Sequence, residues 1–360
     1  MTWLILIAFL PYFFIILETY RNLRKVKPFI KEGNPKVWVS VLIACRNDEK
    51  NLPDLLKDLY SQDYNPDLFE IIIIDDNSDH KTLAIASAYK HIKNLKILIN
   101  PGRGKKSAIA AGIEEASGEL IVTTDADCRM GRSWISVIAS CYESDRPAMI
   151  IAPVQFENKT GFFGRFLELE FLSLQGITAG TAISGNPVMC NGANLAYTKA
   201  AYLRNSGNLH KEILSGDDIF FLHSLKKETK SKIVWLSSDD GLVTTRQPES
   251  LISFIKQRAR WISKAGAYDD RLTLVISIVT FVAILTNISL LITGIFIHEL
   301  LLIFLASFIL KSIPDYLILS VTTGRYKRKH LLKWFIPSQA VYPFYVTAVG
   351  CCSLFKGKSW

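Results

Sequence analysis

Two aspartates separated by one residue, Asp125-Ala126-Asp127, close the run ELIVTT. A strand ending in two carboxylates can present both to one divalent cation, and oxygen donors suit Mg2+ or Mn2+ rather than zinc. Such an ion can bridge a diphosphate and neutralise charge growing on a leaving group. Taken alone, Asp-x-Asp is also an ordinary solvated turn. A second pair, Asp75-Asp76, ends IIIIDD. It can accept hydrogen bonds from a nucleobase or ribose, or form an Asx turn or cap with Asn77, Ser78 and Asp79. Gly102-Arg103-Gly104-Lys105-Lys106 precedes a helical pattern. Glycine, cation and helix start together favour phosphate, but the spacing is not that of a P-loop, and a solvated basic turn has the same composition. Ser215-Gly216-Asp217-Asp218 opens another helix, where a carboxylate can take the proton of an attacking hydroxyl or complement the helix dipole. In Gln257-Arg258-Ala259-Arg260-Trp261, residues Gln257, Arg260 and Trp261 share one helical face. Arginine can fork onto a pyrophosphate and an indole offers a sugar ring a flat platform. A basic interfacial helix with a tryptophan anchor has the same pattern.

These groups need a scaffold that brings strand ends together. Val37–Cys45 is a buried-strand pattern, Glu49–Tyr60 carries leucines at helical spacing, and Phe69–Asp76 is a second strand. A helix over Lys81–His91, a strand over Leu95–Asn100, a helix over Lys105–Glu115 and a strand over Glu119–Asp127 come next. Strand and helix in alternation predict an α/β domain with a mostly parallel sheet covered on both faces. Ligands of such sheets bind beyond the carboxyl ends of the strands, which is where the polar residues gather.

Apolar residues make up 49% of the 360 residues and crowd both ends. Trp3–Leu17 is apolar, interrupted by Pro11 and followed by Arg21, Arg24, Lys25 and Lys27. No cleavage pattern follows, so it is expected to be an uncleaved anchor, with an interfacial helix as the alternative. Leu272–Ile297, Leu300–Ser320 and Phe335–Leu354 are further span candidates. The second holds Lys311, Pro314 and Asp315, with the two charges at helical spacing. An anchor plus three spans would place Lys356 and Lys358 outside, against the positive-inside tendency. The expected layout is an anchor over residues 1–20, a catalytic domain over 36–240, an interfacial helical region over 241–270 and a membrane region over 271–360.

The net charge of +9 is concentrated beside apolar segments, with Arg325, Lys327, Arg328 and Lys329 at the far end. That placement fits a cytoplasmic membrane face, and nucleic acid is not expected as a partner, since no basic motif with interleaved aromatics occurs. Six cysteines include no C-x-x-C pair, which excludes a zinc or disulfide framework and suits a reducing compartment.

In their order from Val39 to Trp261, these motifs resemble the inverting, membrane-bound family 2 glycosyltransferases, which have the Rossmann-like GT-A fold. SVLIACRNDEKNL resembles the family's opening nucleotide-binding segment, with Cys45 where many members have proline. The resemblance implies that Asp75 and Asp76 face the uracil side of a UDP-sugar, and that Asp125 and Asp127 bind Mg2+ or Mn2+. It further implies that Asp218 is the general base and that Gln257, Arg260 and Trp261 are the Q-x-x-R-W motif. Lys105, Gln257 and Arg260 would then meet the donor, and Trp261 and Asp217 the acceptor. Asp217 stands where the family has glutamate. The implied protein is an integral enzyme of a bacterial plasma or inner membrane with a cytoplasmic catalytic domain, moving a sugar to a lipid or saccharide acceptor. Few spans follow Trp261, so one transfer or a short polymer is easier to build than a wide secretion channel. The alternatives are a processive synthase exporting its product as a homo-oligomer or with a partner, and an inactive membrane scaffold.

Overall fold

The computed structural model describes residues 2–89, 93–210, 213, 216–229 and 231–355. His91, Ser215, Lys356 and Lys358 lie outside them. In chain order come α1 (Leu10–Lys25), β1 (Val39–Cys45), α2 (Leu52–Tyr60), β2 (Phe69–Asp75), α3 (His80–Ala88), β3 (Leu95–Ile99), α4 (Lys105–Glu115) and β4 (Leu120–Asp125). Next are β5 (Arg129–Met130), α5 (Trp134–Asp145), β6 (Met149–Ile151), β7 (Val154–Phe156), α6 (Gly161–Ile183), β8 (Leu195–Thr198), α7 (Lys199–Asn205) and α8 (Asp217–Lys226). The rest is β9 (Ile233–Trp235), β10 (Val243–Thr245), α9 (Leu251–Ile262), α10 (Arg271–Phe296), α11 (Glu299–Arg325) and α12 (Phe335–Phe355). They form two compact units, one of α1, α6 and α9 to α12, the other of the ten strands and the remaining helices.

The α/β unit is built on continuous apolar runs. VSVLIAC, apart from the half-buried Ala44, and the four isoleucines of β2 are buried, as strands covered on both faces must be. Strand order is β3-β2-β1-β4-β8-β6-β9. The first four are mutually parallel, while β8 is antiparallel to both β4 and β6. This is the α/β, mostly parallel sheet that the alternation of patterns predicts. Leu52, Leu55, Leu56 and Leu59 of α2 are all buried, the stripe expected of a helix packed on such a sheet. Register brings the carboxyl ends of the central strands level. Cys45 pairs with Asp75, Asp75 with Ile99, and Ala44 with Asp125, so Asp75 and Asp125 flank the end of β1. A separate three-stranded sheet, β5-β10-β7, carries the chain just beyond Asp127.

Among its described residues the helical unit holds three helices long and apolar enough to cross a membrane: Leu4–Lys25, Arg271–Phe296 and Glu299–Arg325. Pro11 does not break the first of these. It sits in the opening turn of α1, where the missing N–H has no partner to lose. The helix Phe335–Phe355 forms but does not join the three. Arg325 donates to the carbonyls of Leu23 and Val26, at 3.2 and 2.8 Å. The carboxyl ends of α1 and α11 therefore lie together, the two helices run parallel, and their basic flanks share one end. Close packing on α6 depends on Gly180, where a Cβ would stand 2.5 Å from the backbone oxygen of Thr19.

Lys311 is 2% exposed in the middle of α11. Its ammonium donates to Asp315 at 2.6 Å and to Gln339 at 3.3 Å, while Tyr12 of α1 donates to the same aspartate. Removing one partner of a buried pair leaves the other charge uncompensated, at about 3–5 kcal/mol. Lys311→Met is expected to lower the thermal midpoint of the detergent-solubilised protein sharply, and Lys311→Met/Asp315→Leu to recover part of the loss. Equal midpoints for the two variants would show that the lone carboxylate is not the cause.

Candidate active site

The site grows from the level strand ends. Beyond β1 and β2 the chain turns through Asn47 and Asn77, both at positive φ, a conformation asparagine tolerates better than most residues. Asp76 spends its carboxylate on the scaffold, accepting from Asn100 at 2.6 Å and from the Gly104 N–H at 2.8 Å. This fixes the glycine turn before α4, where Gly104 has φ +85° and a side chain would be strained. Asp75 differs. It is 2% exposed, one oxygen accepts from the Ser78 N–H at 3.1 Å, and Oδ1 has no hydrogen-bond partner among the described residues. An unanswered buried acceptor is costly, and this one suits an N–H or O–H of a bound nucleoside.

The fixed turn aims two lysines in different directions. Lys105 forms an ion pair with Asp125. Burial alone would lower its ammonium, but Asp125, Asp217 and Asp218 outweigh that and hold it above its ordinary value. Lys106 is 9% exposed and donates to the carbonyls of Leu209, His210 and Ile213, at 2.7, 2.9 and 2.8 Å. It thereby ties down the chain leading into α8. Asp217 and Asp218 occupy the first turn of α8 after Gly216, itself at positive φ. Asp218 accepts from the backbone N–H of Gly192 at 3.1 Å and of Ile219 at 2.8 Å. A Cβ on Gly192 would lie 3.4 Å from the Lys105 ammonium and 3.6 Å from the Asp218 carboxylate. Both groups therefore border one space, beside a small cleft lined by Thr123, Tyr197, Tyr202, Asp217 and Asp218.

Asp127 follows β4 and is held by β10, whose Thr245 hydroxyl donates to it at 3.1 Å. Burial and then the nearby Asp125 charge push its carboxyl above the usual range. Among the described residues no three His, Cys, Asp or Glu side chains cluster closely enough to hold a metal by themselves. Two oxygen-donor carboxylates under mutual repulsion nevertheless fit a hard dication that completes its shell with phosphate and water.

Gln257, Arg260 and Trp261 lie on α9, in the helical unit. Ser250 caps this helix in a reciprocal capping box with Ser253. Arg260 is exposed and Trp261 half-buried. Arg258, between them, is buried: it forks onto Glu170 at 2.9 and 2.5 Å and stacks 4.0 Å from the Trp261 ring. One face of the indole is thus covered by arginine. Lys106 and Arg258 stand inside sequence motifs without a role of their own there, and Thr245 and Gly192 stand outside every motif. Only the Asn191-Gly192 turn signal marked the last of them.

The sequence profile for Glycosyl transferase family 2 matches residues 40–204, which include the strands bearing Asp75 and Asp125. Residues 40–204 are a family 2 glycosyltransferase domain. Among similar proteins is the poly-β-1,6-N-acetyl-D-glucosamine synthase of Staphylococcus epidermidis, 26% identical over 70% of this chain and 62% of that protein. Another is the β-monoglucosyldiacylglycerol synthase of a Nostoc species, 25% identical over 62% of this chain and 48% of that one. The chain therefore spans less than two thirds of these relatives. In fold it is similar to the mannosyltransferase PcManGT of Pyrobaculum calidifontis, solved with GDP-Man and Mn2+. The TM-score is 0.63 and the identity 16%, covering 99% of each chain. The fold of the domain is GT-A.

The raised Asp127 carboxyl has a consequence for stability. The folded state holds this proton more tightly than the unfolded one, whose value is near 3.8. Its contribution is therefore fully present below that pH and lost as pH rises through the folded value. With a chelator present at neutral pH, Asp127→Asn is expected to unfold at a higher temperature than the parent and to lose the stabilisation that added Mn2+ gives the parent. A variant less stable than the parent without metal, or one stabilised equally by Mn2+, would contradict the placement of this carboxylate.

Proposed function

We propose that this protein moves a sugar from a UDP-linked donor to a hydroxyl of a lipid or saccharide acceptor at a membrane surface, in one inverting displacement. The observation that carries this reading is the convergence of Asp125, Asp217 and Asp218 on the Lys105 ammonium beside Gly192. A donor diphosphate needs cations on one side, and an attacking hydroxyl needs a carboxylate on the other; this space offers both. Asp218 is the base: its two backbone N–H donors fix the carboxylate and leave lone pairs for an acceptor proton. Asp75 offers its open oxygen to the nucleoside, and Asp76 acts through the turn it holds. Lys105 gives its charge to the diphosphate. Gln257 and Arg260 are assigned to the donor, and Trp261 and Asp217 to the acceptor, by motif. Asp125 and Asp127 would hold Mg2+ or Mn2+, which supplies charge neutralisation at the leaving diphosphate.

The membrane side of the proposal rests on the shared basic end of α1 and α11. Arg21, Arg24 and Lys25 meet the Arg325 to Lys329 run there, and the positive-inside tendency puts that end in the cytoplasm. Three spans, rather than an anchor plus three, reconcile this with the sequence. The enzyme is then a plasma or inner membrane protein of a bacterium with a cytoplasmic catalytic domain. A polymer-making relative supports a second reading, a processive synthase acting with an export partner or as a homo-oligomer. Incubation of the purified protein with radiolabelled UDP-sugars and Mn2+, with GDP-Man as the comparison donor, and subsequent sizing of the product separate the two. A ladder of long chains favours the synthase, and no nucleotide binding or turnover leaves an inactive scaffold.

Asp218→Asn is expected to lower transfer by at least about 10²-fold, the lower end of what a positioned base contributes. Mn2+-dependent nucleotide binding, read by thermal shift, should stay near the parent value. Transfer at the parent rate would remove Asp218 from the mechanism.

A further inference from the structure

The short segment after α11 gathers more positive charge than the transfer reaction uses. Arg325, Lys327, Arg328, Lys329 and Lys333 fall within nine positions, with His330 among them. Leu331 and Phe335 clamp this segment onto Leu169 and Leu172 of α6 and Leu319 of α11 in one buried cluster. The basic groups are thus presented from a fixed backbone. Arg165 of α6 joins them, with a guanidinium nitrogen 3.4 Å from His330 Nε2. Glu168, 2% exposed, answers Arg165 and Arg328, each at 3.3 Å. Burial pushes even this carboxyl up in spite of both arginines. The His330 imidazole is held below its ordinary value by desolvation and by the charges of Arg165, Arg328 and Lys333, the last three being the sign of a positive potential that one glutamate does not cancel. Lys329, His330 and Lys333 are exposed. The Lys333 ammonium lies 5.9 Å from the Trp334 ring, which packs 5.9 Å from Phe162. Cations beside paired aromatic rings, directly after a helix able to span, are the chemistry of the headgroup layer.

We propose that Arg165, Arg328, Lys329, His330 and Lys333 form a binding site for the phosphate of an anionic glycerophospholipid, with Trp334 and Phe162 against its acyl-proximal part. A lipid rather than free phosphate is favoured because the aromatic pair and the end of α11 offer apolar surface beside the charge. The site rests on α11 meeting a bilayer and not on sugar transfer, so a protein inactive with every donor would still bind the lipid.

The test uses the full chain in a neutral detergent, titrated with short-chain phosphatidylglycerol, with phosphatidylcholine of the same chain length, or with inorganic phosphate, and read by thermal shift and native mass spectrometry. Phosphatidylglycerol is expected to give a saturable rise in midpoint that the other two do not. Arg328→Gln and the double variant Lys329→Gln/Lys333→Gln should weaken it about five-fold for each cation removed, the factor that corresponds to about 1 kcal/mol per basic group near an anionic surface. The double variant alters only exposed lysines and decides the matter even if Arg328→Gln fails to fold. An equal response to phosphatidylcholine, or unchanged affinity in the double variant, overturns the site. An equal response to inorganic phosphate overturns the lipid as its ligand.

Discussion

Like charges at one sheet edge are the constraint on which this structure turns. Asp125 ends β4 with Asp127 two positions on, and Asp217 and Asp218 open α8, about ninety residues later. Carboxylates brought together repel unless a cation lies among them. The Lys105 ammonium takes that place, while burial first and the Asp125 charge second still raise the Asp127 carboxyl. A fold that gives up stability here needs a rigid frame, and β1, β2 and β4, buried and in continuous register, supply it. Donor and metal would relieve the same repulsion on binding. Under the proposed function, the energetic cost of gathering these carboxylates and an affinity for a metal–diphosphate complex would have one origin.

The helical unit solves a related problem in a drier place. Lys311 and Asp315 satisfy one another, and Tyr12 and Gln339 fill the remaining hydrogen-bonding positions. Polar residues from α1, α11 and α12 thereby specify one mutual arrangement of helices whose apolar faces alone would slide. Arg258 does the same for α9. Its fork onto Glu170 of α6, with Tyr345 of α12 donating to that carboxylate at 3.2 Å, fixes the helix that displays Arg260 and Trp261.

Much of the α/β frame was legible because its strands are continuous apolar runs ending in polar residues, and a register of parallel strands brings such ends level whatever lies between. The Lys311–Asp315 pair was legible from helical spacing. Pro11 misled because periodicity does not say which turn of a helix a proline occupies. The 3-10 turns of Thr2–Phe9 place it at the start of α1, not inside it. Hidden altogether were contacts made by backbone: Gly192 to Asp218, and the three carbonyls on Lys106. Every residue carries a carbonyl and nearly every one an N–H, so sequence cannot mark the ones that matter.

Within the motifs themselves, neighbours of one type divide between scaffold and site. Asp76 is saturated by Asn100 and Gly104 while Asp75 keeps an open oxygen. Lys106 is spent on carbonyls while Lys105 faces the carboxylates. Arg258 is buried on Glu170 while Arg260 is exposed. A strand turns adjacent side chains to opposite faces, and a helix swings each successive residue by more than a right angle around its axis, which sends the like residues of these three pairs to different places. One of them meets the core, where an unanswered charge is expensive and a full set of partners is therefore built. The other is the one that the proposed function assigns to a ligand. In these three pairs, unlike Asp217 and Asp218, which both act on Lys105, substitution of the member held by the scaffold disturbs the site through the backbone around it.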